Sequence, residues 1–183
     1  PYDDIGIVSA AGGQPIINLT ESGYTDGDPQ WVLGGNAILF TSERYGMRNH
    51  ASWGTLNDVM IVFLNRKAHE DFLMTKEQKE LAKEIEKLSK AESDEKSDKK
   101  DDKKSEKVEP IVVEFEGIED RILRLTPSSS NLGYATLSKD GTELYYQAAY
   151  ESGMNLWKLD LKAGTPSKIG SASGRMKKKK KYA

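Results

Sequence analysis

Serine hydrolysis needs a hydroxyl with a base in hydrogen-bond reach, and this chain offers its serines two histidines, His50 and His69. His50 lies in Arg48-Asn49-His50-Ala51-Ser52-Trp53-Gly54, between two apolar runs, and His69 opens a charged stretch. No Gly-x-Ser-x-Gly elbow accompanies them: Gly170-Ser171-Ala172-Ser173-Gly174 carries Ala at the centre. A lysine can replace histidine as the base when burial lowers its pKa, but most lysines here fall in a solvated charge run or at the C-terminus. No catalytic residues are therefore expected within these residues. Arg48, His50 and Trp53 together are the most site-like group, because a long loop with an aromatic and ionisable side chains can contact a peptide or a neighbouring domain. Asp26-Gly27-Asp28 lacks the downstream bidentate Glu of a calcium loop and is taken as turn chemistry. No metal and no cofactor is expected.

Bulk composition narrows the partners. Of the 183 residues 37% are apolar and 31% charged, and the mean hydropathy is −0.65, so part of the chain lies outside any core. The formal net charge is −2, but Arg175 and Lys177–Lys181 hold six positive charges, which leaves residues 1–174 at −8. An acidic body argues against nucleic acid as a partner. The longest apolar run, Val59 to Leu64, is far too short for a membrane span. The absence of cysteine removes disulfides and thiol chemistry and fits either a reducing cytosol or an envelope protein that avoids thiols. A first residue Pro1, with no basic-then-apolar leader behind it, suggests a processed product or a piece of a longer chain.

The elements that would position such a loop repeat. Leu19-Thr20 matches Leu125-Thr126, Gly35 matches Gly141 and Phe40 matches Tyr146, all at an offset of 106. Each copy runs from an "LT" strand end through a polar gap to a strand (29–33 or 134–138), a turn and a second strand (37–41 or 143–147). A third strand follows at 58–63 or 155–160. Gly34-Gly35-Asn36 and Lys139-Asp140-Gly141 predict two-residue hairpins. The 44 residues from Leu125 to Ile169 suit a four-stranded propeller blade. Ile5-Gly6-Ile7-Val8 and Ile16-Ile17-Asn18-Leu19 predict half a blade. Pro110 to Phe115 predicts re-entry into the sheet, and Ile122 to Leu125 the last strand of the interrupted blade. Alternating strands place Trp31, Phe40, Tyr145, Tyr146 and Trp157 in inter-blade packing, and Asp120-Arg121 is expected as an ion pair at a blade corner.

An insertion explains the long offset. Thr75-x-x-Gln78 has the capping-box form, with Leu81, Ile85 and Leu88 at helical spacing, so a helix from about Thr75 to Ala91 is predicted, its surface wet and laced by Glu86 with Lys90. Glu92 to Lys107 holds only Glu, Asp, Lys and Ser and is predicted to be disordered. The expected organisation is propeller strands over 1–64, a helical and disordered Lys/Glu-rich insertion over 65–109, propeller strands again over 110–170, and a basic tail over 171–183. The fold class is thus all-β, a partial β-propeller of about two and a half four-stranded blades with a charged insertion, and too few blades to close a ring.

The stretch "GGQPIINLTESGYTDGDPQWVLGGNAILFTSERYG" resembles the propeller repeat of TolB and of tricorn-type proteases, through Leu19, Thr20, Pro29, Trp31, Gly35, Ile38, Phe40 and Ser42. "ERYGMRNHASWGTLNDVMIVFLNR", the Lys/Glu-rich insert and "VVEFEGIEDRILRLTP" together resemble the propeller of tricorn-like serine proteases of the tail-specific (C-terminal-processing) peptidase family found in Bacteroidetes. The similarity runs from Asp4 to about Gly170. It implies a periplasmic or envelope protein whose propeller guides or filters polypeptide substrate, or contacts neighbouring domains, while a PDZ module and a serine peptidase domain lie elsewhere. The alternative is a TolB-like propeller scaffold for protein–protein binding without peptidase activity. "SASGRMKKKKKYA" departs from the pattern, since five consecutive lysines do not make a half-buried strand.

Overall fold

Leu19 and Leu125, the two "LT" leucines, each donate a backbone N–H at 2.8 Å to the strand beside them, to Ile5 and Val59 respectively. The repeat in the sequence is therefore a repeat in hydrogen bonding. The structure is a computed structural model that describes residues 2–48, 54–94 and 110–172. Strands β1 (Gly6–Ile7) and β2 (Ile17–Asn18) pair antiparallel. Next come β3 (Asp26–Val32), β4 (Ala37–Ser42) and β5 (Asp58–Phe63), then helices α1 (Arg66–Leu73) and α2 (Lys76–Asp94), then β6 (Ile122–Arg124). The chain closes with β7 (Leu132–Leu137), β8 (Glu143–Glu151), β9 (Gly153–Asp160) and β10 (Pro166–Ser171). β3 to β6 form one four-stranded meander and β7 to β10 a second, both fully antiparallel. Sequential four-stranded meanders stacked face to face are propeller blades. The chain folds as an all-β, partial β-propeller with a helical insertion.

Period-2 alternation decides which face each residue covers. Ala37, Leu39, Val59, Ile61 and Phe63 turn one face of the first meander onto Leu144, Tyr146, Ala148, Trp157 and Leu159 of the second, and this forms the inter-blade core. Ile38, Phe40, Met60 and Val62 turn the other face onto Ile5, Leu19 and Ile118. With both faces covered, β5 is buried at every position, which is why Val59 to Leu64 reads as an unbroken apolar run.

Phe40, Tyr146 and Trp157 lie in these cores as expected, and Tyr145 is half-buried. Trp31 is not: half of its surface is exposed. Both predicted two-residue hairpins are longer. The first turns through Leu33–Gly35, with positive φ at Leu33, Gly34 and Gly35, and β4 starts only at Ala37. In the second, Gly141 takes positive φ and donates its N–H to Ser138 O, while Ser138 N bonds Glu143 O. The Asp140 carboxylate accepts from the Ser138 and Thr142 hydroxyls, which holds the wider turn. Local side-chain acceptors have overridden the tight-turn signal of Asp-Gly.

Pro110 to Phe115 does not join the sheet as a strand. The Arg121 guanidinium, itself 3% exposed, donates to the carbonyls of Glu114, Glu116 and Gly117 and to Phe63 O across the fold. Glu114 reaches the sheet through one backbone bond, its N–H to Leu64 O at 2.7 Å. A side chain has taken carbonyls that a ladder would need. The expected Asp120–Arg121 ion pair is corrected by the same geometry, because those donors are spent on carbonyls.

The capping box at α2 is as expected: Thr75 N donates to Gln78 Oε1 and Gln78 N to Thr75 Oγ1. Leu81, Ile85 and Leu88 stay more than half exposed, so the helix is a wet rod. Helix α2 runs on to Asp94, so residues 92–94 of the stretch predicted to be disordered are helical; the rest of that stretch, the side chains of Glu86 and Lys90 and the tail from Ser173 on lie outside the described residues. Helix α1 is an addition to the predicted elements. Asn65 caps it by accepting Ala68 N at 2.8 Å, and Ala68 with Phe72 packs on the inter-blade core.

Candidate functional site

The antiparallel meanders sort the connections to two ends. One end carries the β3–β4 and β7–β8 turns with the helical insertion; the other carries the 43–57 loop and the β6–β7 connection. The second end holds Arg48. Its backbone bridges Thr55 and Met47 O accepts Leu56 N, so the 43–57 segment begins as a closed neck. The neck is tight: a Cβ on Gly46 would run into the carbonyl of Leu56. The Arg48 guanidinium lies 5.2 Å from the centre of the Tyr24 ring and 5.6 Å from that of Tyr2, within cation–π range of both. A hydrogen bond with Tyr2 raises its already high pKa. Beside it, Arg124 sits 5.2 Å from the Tyr45 ring, and Tyr45 and Met47 are largely exposed. His50 and Trp53, the other two residues singled out in the sequence, lie outside the described residues.

Under this end the first meander is held by charge. Asp58, fully buried at the start of β5, accepts from Arg124 Nε at 3.0 Å, Thr126 Oγ1 at 2.8 Å and Ser129 Oγ at 2.7 Å. Asp26 is buried on the same sheet face, since Asp26 pairs with Ser42 and Ser42 with Asp58 across the strands. Its nearest cation is Arg44 at 3.8 Å, and among the described residues neither Asp26 oxygen accepts a hydrogen bond. Asp28 is an exposed bulge residue with φ of 51°. These positions give Asp26 and Asp28 different surroundings and no shared ligand geometry, and among the described residues no acidic or histidine cluster of metal-binding form occurs.

Between the blades, where the inner strands β3 and β7 meet, lies a cavity of about 560 Å³. Asp28, Gln30, Gly133, Tyr134, Gln147 and Met154 are among its walls. Gln30 crosses from one blade to the other: its Nε2 donates to Ala135 O at 2.9 Å, and its Oε1 accepts from Tyr134 OH at 3.2 Å. Both inner strands break register here, β3 between Gly27 and Gln30 and β7 between Leu132 and Ala135. Pro29 also removes one N–H from β3. Bulges and proline blunt an edge against added strands, so an occupant would meet side chains and single backbone groups, not a free ladder.

The serines with side-chain partners near this end bond carboxylates or backbone: Ser130 donates to Asn131 O and Ser42 accepts from Arg44 N. Ser129 donates to Asp58 and Ser22 to Asp4. His69 is at the opposite end, in α1, with its ring 5.3 Å from Phe63. Burial, and then the positive charge of Arg121, lower its pKa. Chemically, two arginines flanked by tyrosines present cation, ring face and hydroxyl together at this end. Sequence reasoning missed Tyr2, Tyr24 and Tyr45. The signal available was the spacing of Tyr45, Met47 and Arg48 in "ERYGMR", which puts an aromatic and a cation on one loop neck.

No family model matches the chain and no curated protein matches it. Among solved structures it is similar to TolB from Acinetobacter baumannii, at 12% identity and a TM-score of 0.47. That match covers 92% of this chain and 27% of the other. It is also similar to the tricorn protease, at 9% identity and a TM-score of 0.49, over 86% of this chain and 14% of the other. The chain spans well under a third of either. Described helices include none long and apolar enough to cross a membrane.

Proposed function

We propose that this chain is a non-catalytic propeller segment of a tricorn-like serine protease, which guides or filters polypeptide toward a peptidase domain outside residues 1–183. The observation that carries the reading is the blade end where Arg48 lies over the Tyr2 and Tyr24 rings and Arg124 over Tyr45. The motif resemblance at Leu19-Thr20, Trp31, Phe40 and the charged insert supports a protease parent over other propellers, and on that ground the location assigned is the periplasm or envelope. Residues 1–64 and 110–170 are the propeller portion in this reading, 65–109 an insertion whose described helices α1 and α2 follow β5 at the other end, and 171–183 a basic tail.

The second reading is a TolB-like scaffold that docks partner proteins with no peptidase following; the same aromatic and arginine end favours it equally. The reading frame that continues from this segment separates the two, since a PDZ-like module and a serine peptidase domain support the first and further repeats alone support the second. On the isolated chain, unfolded casein should bind without turnover, and a serine-directed fluorophosphonate should not label. Labelling that disappears when one serine is replaced would place the chemistry here and end both readings.

A further inference from the structure

The pair β1–β2 repeats the outer half of a blade in detail. Asp3 O accepts Asp26 N as Asn57 O accepts Ser130 N, and Ile5 O accepts Leu19 N as Val59 O accepts Leu125 N. Ile5 N donates to Thr20 Oγ1 at 3.1 Å as Val59 N donates to Thr126 Oγ1 at 3.2 Å. These correspondences set β1 equivalent to β5 and β2 to β6. In the first meander β5 has β4 on its other side and β3 beyond. β1 has β2 as its sole strand partner among the described residues. Because Ile5 bonds toward β2, antiparallel alternation turns the backbone of Asp4, Gly6 and Val8 to the opposite edge.

A second observation marks the same gap. Trp31 opposes Ile38 across β3 and β4, and its counterpart at offset 106, Leu137, opposes Leu144 across β7 and β8. Leu137 is half-buried against the core supplied by the first meander, whereas Trp31 is 50% exposed on the face that β1–β2 and Ile118 cover in part. The inner half of one inter-blade interface is filled, and at the equivalent place in the next Trp31 is half open beside a buried Ile38.

We infer that the β1 edge and the Trp31 face form a docking site for an antiparallel β-hairpin of this same repeat, the two inner strands that would complete the blade begun by β1 and β2. The occupant is set by the stacking already present: one strand pairs with Asp4, Gly6 and Val8, and its apolar side chains cover the open half of Trp31 as the first meander covers Leu137. The inference rests on the propeller reading but not on any polypeptide-guiding role, so failure of casein binding leaves it standing.

The test is hydrogen exchange on the full chain with a synthetic peptide of its own residues 25–43, the β3–β4 hairpin sequence, against a scrambled peptide. Saturating hairpin peptide should slow exchange at Gly6 and Val8 by about tenfold or more, the scale expected when an edge N–H becomes a ladder bond. Trp31→Ser, at a site already exposed, should weaken peptide binding about tenfold while the urea midpoint of the free chain stays put. Three results overturn the proposal: no added protection at Gly6 and Val8, protection confined to the β6 or β10 edges, or a peptide-free dimer in which the β1 amides are already protected by a second copy.

Discussion

Thr126 donates its hydroxyl to the buried Asp58 carboxylate at 2.8 Å and accepts the backbone N–H of Val59. Thr20 repeats both bonds with Asp4 and Ile5, in a far wetter place. The "LT" signature is thus a hydroxyl that ties the fourth strand of a blade to the acidic residue opening the third.

Replacing Thr126 with Val keeps the shape and removes the hydroxyl, which leaves a buried N–H without its acceptor and a buried carboxylate with one donor fewer. The expected loss is about 1–3 kcal/mol. Thr20→Val should cost less, because Asp4 keeps Asn18 and Ser22 as partners and is open to water. Urea unfolding of the two variants checks the order. Equal losses would mean that burial of Asp58 does not set the cost.

His69 gives the fold a pH dependence of known sign. Burial and the Arg121 charge favour its neutral form, against a weaker opposing pull from Glu70, so its folded pKa lies below the ordinary 6.5. The unfolded chain then binds the proton more readily, and stability rises with pH. The contribution is present in full above about pH 6.5 and is lost as pH falls toward the depressed value. Urea midpoints at about pH 7.5 and about pH 5.5, on either side of the ordinary histidine value, should differ more for the natural chain than for His69→Gln. A Gln variant that keeps the whole difference would assign it to carboxylates.

The repeat, the strands and the capped helix were legible because period-2 patterning and capping are local properties. The misses share a cause, which is a side chain reaching out of its own segment. Arg121 removes Pro110 to Phe115 from the sheet by binding carbonyls that flank it in sequence and one on β5. Asp140 widens its own turn through the Ser138 and Thr142 hydroxyls. Trp31 sits on a correctly predicted strand, but its exposure depends on what stands opposite, and no local pattern records that. Helix α1 was hidden because Ala68 and Phe72 alone mark its buried side. At the candidate site, Arg48 was visible as part of a loop, whereas Tyr2 and Tyr24 reach it from elsewhere in the chain.

Arg121 should be hard to replace. Arg121→Ala leaves four carbonyls of one corner without their donor. A loss of about 3–5 kcal/mol is expected, the sum of several unsatisfied groups each worth about 1–3 kcal/mol with partial rescue by water. Arg121→Lys should recover little, because an ammonium cannot present the planar fork that spans these acceptors. Thermal unfolding of both variants decides it. A lysine variant as stable as the natural chain would show that charge, not geometry, holds the corner.

The loop neck offers the cleanest separation of binding from stability. Arg48 is exposed and its side-chain partners are the Tyr2 and Tyr24 rings and the Tyr2 hydroxyl, so Arg48→Ala should leave the unfolding free energy within about 0.5 kcal/mol. It should weaken binding of unfolded casein by about 2- to 10-fold, the range expected when one cation–π interaction is removed from a surface. Gly46→Ala should lose binding as well, but through the fold: with Leu56 O in the space the methyl needs, the neck must open and Arg48 leaves Tyr24. The pair is measured by fluorescence anisotropy of labelled casein alongside urea unfolding. If Arg48→Ala binds as the natural chain does while Gly46→Ala does not, the loop contributes its shape or its other residues, and the role proposed for Arg48 falls.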